Sequence, residues 1–518
     1  MVTVDRTPAT AALRRSSPLL VLAVGFLLGV LVAVAVVPDR THTTTRAATA
    51  GRGAAAGEGA AGGDVPAGEA GLPGNDTTGA AGVAAGGTAA GGAGARAGTG
   101  RGGAGTGTTL PQIPGIEPGP QRGVTAQKIH LGIGLPDISV IAALGPGYDQ
   151  GDVRAHVESV LAAWHREKKL PVAGRDIEVT YRTYNILSQD EQRAACVGFG
   201  QDDKVFAVVA IHDFGIVGSE CVTAEYRIPL VTADGPFDVS YRRGWPYLFT
   251  MAMSSSRVLR NFIGWGHQTG RFKGKRIGVY YPNDPLYTPD VQEFVLKKLR
   301  ALGYNVAAEV TTDLQGAQTG GPNDSVAVQR FRAARVDTAI LLVSAVAKTN
   351  FFNQAQLQGY RPTYLENDLA FSTTNTATTT YPPDYFDGTV GVTGQHFGES
   401  KAGIPPTPES TECMGWFKAS TGKTVDRDAR EAEYIAGNQA CDELRSVMVA
   451  LQWAGRNLTP ARFVAGLETI KNARMGIHGD VTFATNKHDG VSAYRELIWR
   501  KDCKCWVAQG AFRPLASQ

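Results

Sequence analysis

From Lys128 onward the sequence alternates short apolar runs with helical stretches, and does so twice over, which constrains the fold more than any other feature. Lys128 to Leu135 reads as a strand. The segment after Gly151 places Val153, Val157, Val160, Leu161 and Trp164 on one helical face. Ile177 to Tyr184 reads as a second strand, followed by a helix containing Cys196 and Phe199. Val205 to Ile211 is almost continuously apolar, as expected of a parallel strand covered on both faces. A helix through Cys221 and a strand from Ile228 to Thr232 complete the first unit. After Trp245 to Phe249 the rhythm repeats, with strands predicted at Arg276 to Tyr281, Asn305 to Val310, Thr338 to Val343 and Thr363 to Leu365. Helices are predicted at Pro289 to Leu302, Val326 to Arg335 and Phe351 to Gln358. Such alternation implies an α/β protein with parallel sheets and right-handed crossovers, and two units in tandem imply two lobes.

Beyond Gly388 the pattern thins. A long helix is predicted at Tyr434 to Gly455 and a shorter one at Pro460 to Ile470. A hairpin-like end runs through Gly479 to Phe483, Tyr494 to Arg500 and Cys505 to Val507. Too little strand remains for a third sheet, so this segment is expected to return and finish both lobes, creating several crossings between them.

The N-terminal part obeys different rules. Leu19 to Val37 is uncharged and about long enough to cross a bilayer as a helix, and it follows Arg6, Arg14 and Arg15. That flank places the N-terminus in the cytoplasm and everything after residue 40 outside. The run is longer than most signal h-regions, and no cysteine precedes Cys196 to carry a lipid, which favours a retained anchor over a cleaved signal. Residues 47 to about 113 are mainly Gly, Ala and Thr, with too little apolar surface to offset the entropy of ordering. As a flexible tether they would span on the order of 45 Å. The expected organisation is therefore a basic cytoplasmic region (1–18), an anchor or signal (19–37), a Gly/Ala-rich linker (38–124), lobe one (125–250), lobe two (251–387), a return to lobe one (388–478), and closing strands of lobe two with the tail (479–518).

All six cysteines lie in the exported part, where disulfides persist. Cys196 with Cys221, on consecutive helices of one lobe, is the first expected pair, and Cys413 with Cys441 the second. Cys503 and Cys505 remain, and a direct bridge between them would be strained. Six cysteines allow fifteen connectivities, so the pairing stays open. The nine histidines are scattered, without the spacing of a zinc site. A net charge of +3 without a basic, aromatic-interleaved stripe argues against nucleic acid as a partner. No G-x-S-x-G or H-E-x-x-H occurs. Phe272 to Arg276 lacks the spacing of a phosphate loop, and Gly145, Gly147 and Gly151 lack that of a dinucleotide site. No enzyme, cofactor or metal is expected.

The element order, with His130-Leu131-Gly132-Ile133-Gly134-Leu135-Pro136, Asp202 to Val209, Ile228-Pro229-Leu230-Val231, Arg276 to Tyr281 followed by Tyr287, and Gly479 to Phe483, resembles the type I periplasmic binding proteins. The resemblance is to the branched-chain amino acid (Leu/Ile/Val-binding) branch of ABC-transporter substrate-binding proteins and spans about residues 125 to 510. It implies two Rossmann-like lobes of the Venus-flytrap kind that close on a small-molecule ligand and present it to an ABC permease. An accessory or sensing receptor of the same fold, with no transport role, is the alternative.

In open parallel sheets ligands bind beyond the carboxyl ends of the strands. The candidate site is therefore Ser139, His212, Asp213, Phe214, Thr232, Ala233 and Asp234 in the first lobe. Across the cleft it comprises Asp284, Tyr287, Thr288, Ser344, Glu366, Asn367 and Asp368. The resemblance implies that the 212–214 and 232–234 loops hold a ligand carboxylate. It further implies that Tyr287 and an acid near Glu366 handle the ammonium, so that Glu366 or Asp368 pairs with a cationic group. The sequence departs from that pattern, because Asp213 and Asp234 stand where hydroxyl residues would receive a carboxylate, and like charges repel. A polyol, a cationic solute, an aromatic compound stacked on Phe214 or Tyr287, or a peptide-like molecule fits at least as well as an α-amino acid.

Overall fold

The structure, a computed structural model, describes residues 121–137, 139 and 148–515. The expected N-region (1–18), the apolar run (19–37) and the linker apart from 121–124 lie outside the described residues. Among the described residues no helix is long and apolar enough to cross a membrane.

The first five strands, β1 (Lys128–Asp137), β2 (Asp176–Asn185), β3 (Ala207–Ala210), β4 (Leu230–Thr232) and β5 (Leu248–Thr250), form one sheet in the order β2-β1-β3-β4-β5. Every pairing in it is parallel. The second sheet holds seven strands: β6 (Arg276–Pro282), β7 (Asn305–Thr312), β8 (Thr338–Leu341), β9 (Thr363–Glu366), β10 (Val390–Thr393), β11 (Ala493–Arg500) and β12 (Cys505–Pro514). Their order is β12-β11-β10-β9-β8-β6-β7, and only the β10–β11 and β11–β12 pairs are antiparallel. Two mostly parallel sheets give the two α/β lobes that the alternation implies.

Both faces of each sheet are covered, which is why the central strands are apolar throughout. In β3, Ala207 and Val209 enter one core while Val208 and Ala210 enter another, all four fully buried. Helix α1 (Val153–Arg166) covers one face of the first sheet with Val153, Val157, Val160 and Trp164. The Asp152 side chain accepts the Ala155 N–H at its start, and His165 and Arg166 complement the dipole at its end. In the second lobe, helices α2 (Ser255–Gln268) and α3 (Ala345–Leu357) take opposite faces of the sheet.

After β10, helices α4 (Pro408–Thr421), α5 (Glu431–Ala454) and α6 (Pro460–Leu467) return to the first lobe, joining its core through Trp416, Leu444, Leu451 and Phe463. Strand β10 itself belongs to the second sheet. With four residues and a central glycine, it gives little sequence signal. Gly479 to Phe483, expected as a strand of the closing hairpin, makes only isolated bridges from Val481 to Ala473 and Val491. The hairpin is β11 and β12, and the 479–483 segment instead packs Val481 and Phe483 into the first lobe's core.

The chain passes between lobes three times, near 251–254, 394–396 and 489–492. These passages are cross-linked. Gly490 N–H donates to the Thr250 and Ala252 carbonyls (2.8 and 3.0 Å), Gly479 N–H to Gly394 O (2.9 Å), and Ser254 N–H to Asp489 Oδ2 (2.8 Å). Arg257 pairs with the same Asp489 carboxylate at 2.5 Å. The closeness requires glycine: a Cβ at Gly490 would lie 2.2 Å from Met251 O, and one at Gly235 2.2 Å from Met253 O. Gly490→Ala is expected to cost about 1–3 kcal/mol through this overpacking, read as a lower midpoint in urea. An unchanged midpoint would mean that the crossing strands yield freely.

Three disulfides are present: Cys196–Cys221, Cys413–Cys441 and Cys503–Cys505. The first two are the expected pairs, the second tying α4 to α5. The direct Cys503–Cys505 bridge also forms. Residues 501–504 make a turn rather than a strand, which brings the two Cα atoms to 5.2 Å, within ordinary disulfide reach.

Candidate functional site

The carboxyl ends of both sheets face one another across a cavity of about 360 Å3. His212 and Asp213 follow β3, Asp234 to Phe237 follow β4, and Ala252 and Met253 follow β5. From the other lobe come Pro282 and Tyr287 after β6, Leu342 to Val346 after β8, Asp368 to Phe371 after β9, and Gly394 with Gln395 after β10. Parallel strands all deliver their loops to the same edge, so two such sheets set edge to edge build the pocket without any further device.

Six of the fourteen residues expected from sequence line this cavity: His212, Asp213, Asp234, Tyr287, Ser344 and Asp368. His212 is buried, with Nδ1 3.3 Å from Gln439 Oε1 and its ring stacked on Phe371 of the other lobe at 4.4 Å. Both stacking partners adopt left-handed backbone, at φ 77 and φ 55, as does Ala370 at φ 53. Non-glycine residues in that region cost of order 1–3 kcal/mol each and gather at ligand clamps. Burial holds His212 below the usual imidazole range, against the pull of Asp213. Asp213 is exposed to the cavity, caps Gly215 N–H at 2.7 Å, and is raised above the usual carboxylate range by its enclosure.

Asp234 is pushed far up, first by burial and then by Asp213 and Asp368, and its Oδ2 has no hydrogen-bond partner. Tyr287 packs edge-on against Phe237 and is raised to about 12 by burial, then by Asp213 and Asp284. Ser344 caps α3, accepting from Ala347 N–H and donating to Gln318 O at 2.6 Å. Asp368 is engaged at both oxygens, by Thr373 Oγ1 and Gly394 N–H, each at 2.6 Å.

The other eight are not among the lining residues. Phe214 is fully buried in the first lobe's core against Tyr184 and Phe199, so it offers no surface for an aromatic guest. Glu366 does not await a ligand cation: it is buried and paired with Lys348 Nζ at 2.5 Å, and Lys348 also reaches Ser372. Thr232 Oγ1 donates to His212 O at 3.0 Å, and Ala233 O accepts from Ala252 N–H. Asn367 Oδ1 accepts from Leu369 N–H, and Asp284 Oδ1 from Leu286 N–H. Thr288 Oγ1 accepts from Asp284 N–H, and Ser139 N–H donates to Asp137. These polar groups shape the loops rather than face the cavity.

The structure adds residues that the strand-end rule misses. Gln395 lines the cavity, is 3% exposed, and its Oε1 has no partner. Behind the lining, helix α5 places Gln439 and Glu443, neither of which lines the cavity and both wholly buried, with Glu443 unpartnered at both oxygens and pushed far up by burial and by Asp234. Neighbouring Asp442 is satisfied by the N–H groups of Gly476 (2.6 Å) and Ile477 (3.1 Å) and by His478 Nδ1 at 3.0 Å.

The fold and cleft define a two-lobed binding protein, and the comparisons agree. The family model described as periplasmic binding protein matches residues 128–504. The chain belongs to that family. Among solved structures it is similar to a branched-chain amino acid ABC transporter protein from Thermus thermophilus with bound valine. That pair shares 15% identity at a TM-score of 0.57, covering 76% of this chain and 98% of the other. A possible leucine/isoleucine/valine-binding protein from Rhodopirellula baltica shares 13% identity at a TM-score of 0.56, covering 76% and 98%. A solute-binding protein of an ABC transporter from Rhodopseudomonas palustris, in complex with 3,4-dihydroxy benzoic acid, shares 14% identity at 0.53, covering 75% and 98%. At these identities the likeness speaks for the fold alone. No curated protein matches the sequence.

Proposed function

We propose that the chain is an extracytoplasmic solute-binding protein, not an enzyme, which captures a small polar or amino-acid-like molecule between its lobes and presents it to an ABC-type permease. Residues 19–37 would hold it at the membrane and the Gly/Ala-rich linker would give it reach. The observation that carries this reading is the cavity of about 360 Å3 formed by strand ends of both sheets, with three cross-linked passages on which the lobes can swing. Binding proteins of this build couple occupancy to closure, because a solute touching both lobes stabilises the closed state by its differential affinity.

The test is small-angle scattering and tryptophan fluorescence of the full-length protein against a panel of metabolites. A bound solute should shrink the radius of gyration, and an unchanged curve with every solute class would sink the reading. Pull-down by the intact anchored protein should recover a permease. Recovery of a signalling partner alone would replace transport by sensing.

A further inference from the structure

Resting on that reading, we propose that the solute selected by the cleft carries a cationic nitrogen, an amine or guanidine, held by Asp213 and Asp234 with Glu443 beside them. Three carboxyl side chains line the cavity, Asp213, Asp234 and Asp368, and no lysine or arginine does among the described residues. An anionic guest would meet these acids with the N-termini of α2, at Ser255, and α3, at Ala345 and Val346, and neutral donors such as Tyr287 and Gln318 on its side, but no full positive charge from a lysine or arginine among the described residues. A helix end contributes about half a charge, so the carboxyls decide the sign.

The hydrogen-bond inventory points the same way. Asp234 Oδ2, both Glu443 oxygens and Gln395 Oε1 are buried acceptors without donors. An ammonium brings three N–H donors and a guanidinium five, and neither brings an acceptor to compete. Asp368 is already committed to Thr373 and Gly394, and Glu366 to Lys348, which leaves Asp234 and Glu443 with unpartnered oxygens and Asp213 with only Oδ1 engaged, by Gly215 N–H. Among the described residues no three His, Cys, Asp or Glu side chains converge closely enough to hold a metal ion, so the cation that fits is organic.

Capture should be linked to protons. Facing Asp234 and Glu443 are Tyr184 on β2, Asp213 and His212 from the loop after β3, Asp368 after β9, Asp442 on α5 and, for Asp213, Tyr287 after β6. Crowding and burial raise the acids, so an empty site retains protons. A cation favours the ionised form and releases them, so affinity rises with pH across their titration and falls in acid.

Agmatine and putrescine, tested by calorimetry against benzoate and xylitol, neither of which carries a cationic nitrogen, on the full-length protein, decide the matter. An amine should bind, more weakly in acid, with proton release visible as a dependence on buffer ionisation enthalpy. Asp234→Asn and Glu443→Gln should each weaken it about tenfold or more. Asp213→Asn, exposed to the cavity and keeping an amide oxygen to accept from Gly215 N–H, should weaken it likewise if the buried variants fold poorly. Binding of benzoate or xylitol with neither amine bound overturns the cationic ligand while leaving solute capture intact. Amine binding indifferent to all three substitutions overturns the placement. Failure of the whole panel to bind, with no lobe closure, overturns both readings.

Discussion

Glu366→Ala is expected to lower the unfolding free energy by about 3–5 kcal/mol, because it strands the ammonium of Lys348 in the second lobe without a counter-charge. Both side chains are 2% exposed and lie 2.5 Å apart, leaving only Ser372 to receive Lys348 after truncation. Burial pushes Glu366 up and Lys348 down, each opposed by the other's charge, so the pair survives only as a pair. The double variant Lys348→Met with Glu366→Leu should recover most of the loss, since apolar side chains of similar volume often replace buried ion pairs at little cost. Urea unfolding of the two variants distinguishes the cases. Wild-type stability in Glu366→Ala would mean that Lys348 finds water or another partner.

Phe214→Ala should cost a comparable amount, about 3–5 kcal/mol, as the loss of a fully buried phenyl ring and the cavity left behind. Its ring sits 4.7 Å from Tyr184 and 6.2 Å from Phe199, in the layer that also holds Cys196 and Cys221. Collapse into the gap is hindered by that disulfide, so the upper part of the range is expected. A variant of unchanged midpoint that lost solute affinity would instead return Phe214 to the binding surface.

These two residues show where sequence reading reaches its limit. The alternation of strands and helices, the two lobes and the strand-end loops were legible because parallel α/β structure writes its burial directly into apolar runs such as 205–211. Which side chain of a strand-end loop turns into the cleft was not, because it depends on backbone left-handed at His212 and on partners distant in sequence, as Lys348 is to Glu366. Asp213, Asp234 and Tyr287 line the cavity, whereas Phe214, Ala233 and Thr288, each one residue away from one of them, do not.

A different difficulty hid Glu443. Asn438 and Asp442, like Gln439 and Glu443, are four residues apart on one helix, a pattern that reads as the wet side of an amphipathic helix. All four are wholly buried. The first half of α5 is enclosed nearly all round, contributing Tyr434 and Ile435 to one core and Ala436 and Ala440 to another. Polarity alone could not distinguish a solvated stripe from one sealed within the protein. The excess of acceptors over donors is the physical mark of the difference, and it requires coordinates to count.

The late return of α4, α5 and α6 has a consequence for biogenesis. The five strands of the first sheet are synthesised by residue 250, but three of the helices that share with α1 the cover of one face follow only after residue 408. A nascent chain halted between those points would have only α1 on the face that holds Ile129, Leu131, Val209 and Phe249, and the part left uncovered is a surface prone to association. The first lobe therefore cannot mature ahead of the second, and the two halves of this molecule must reach their finished form together, after the last of its chain has emerged.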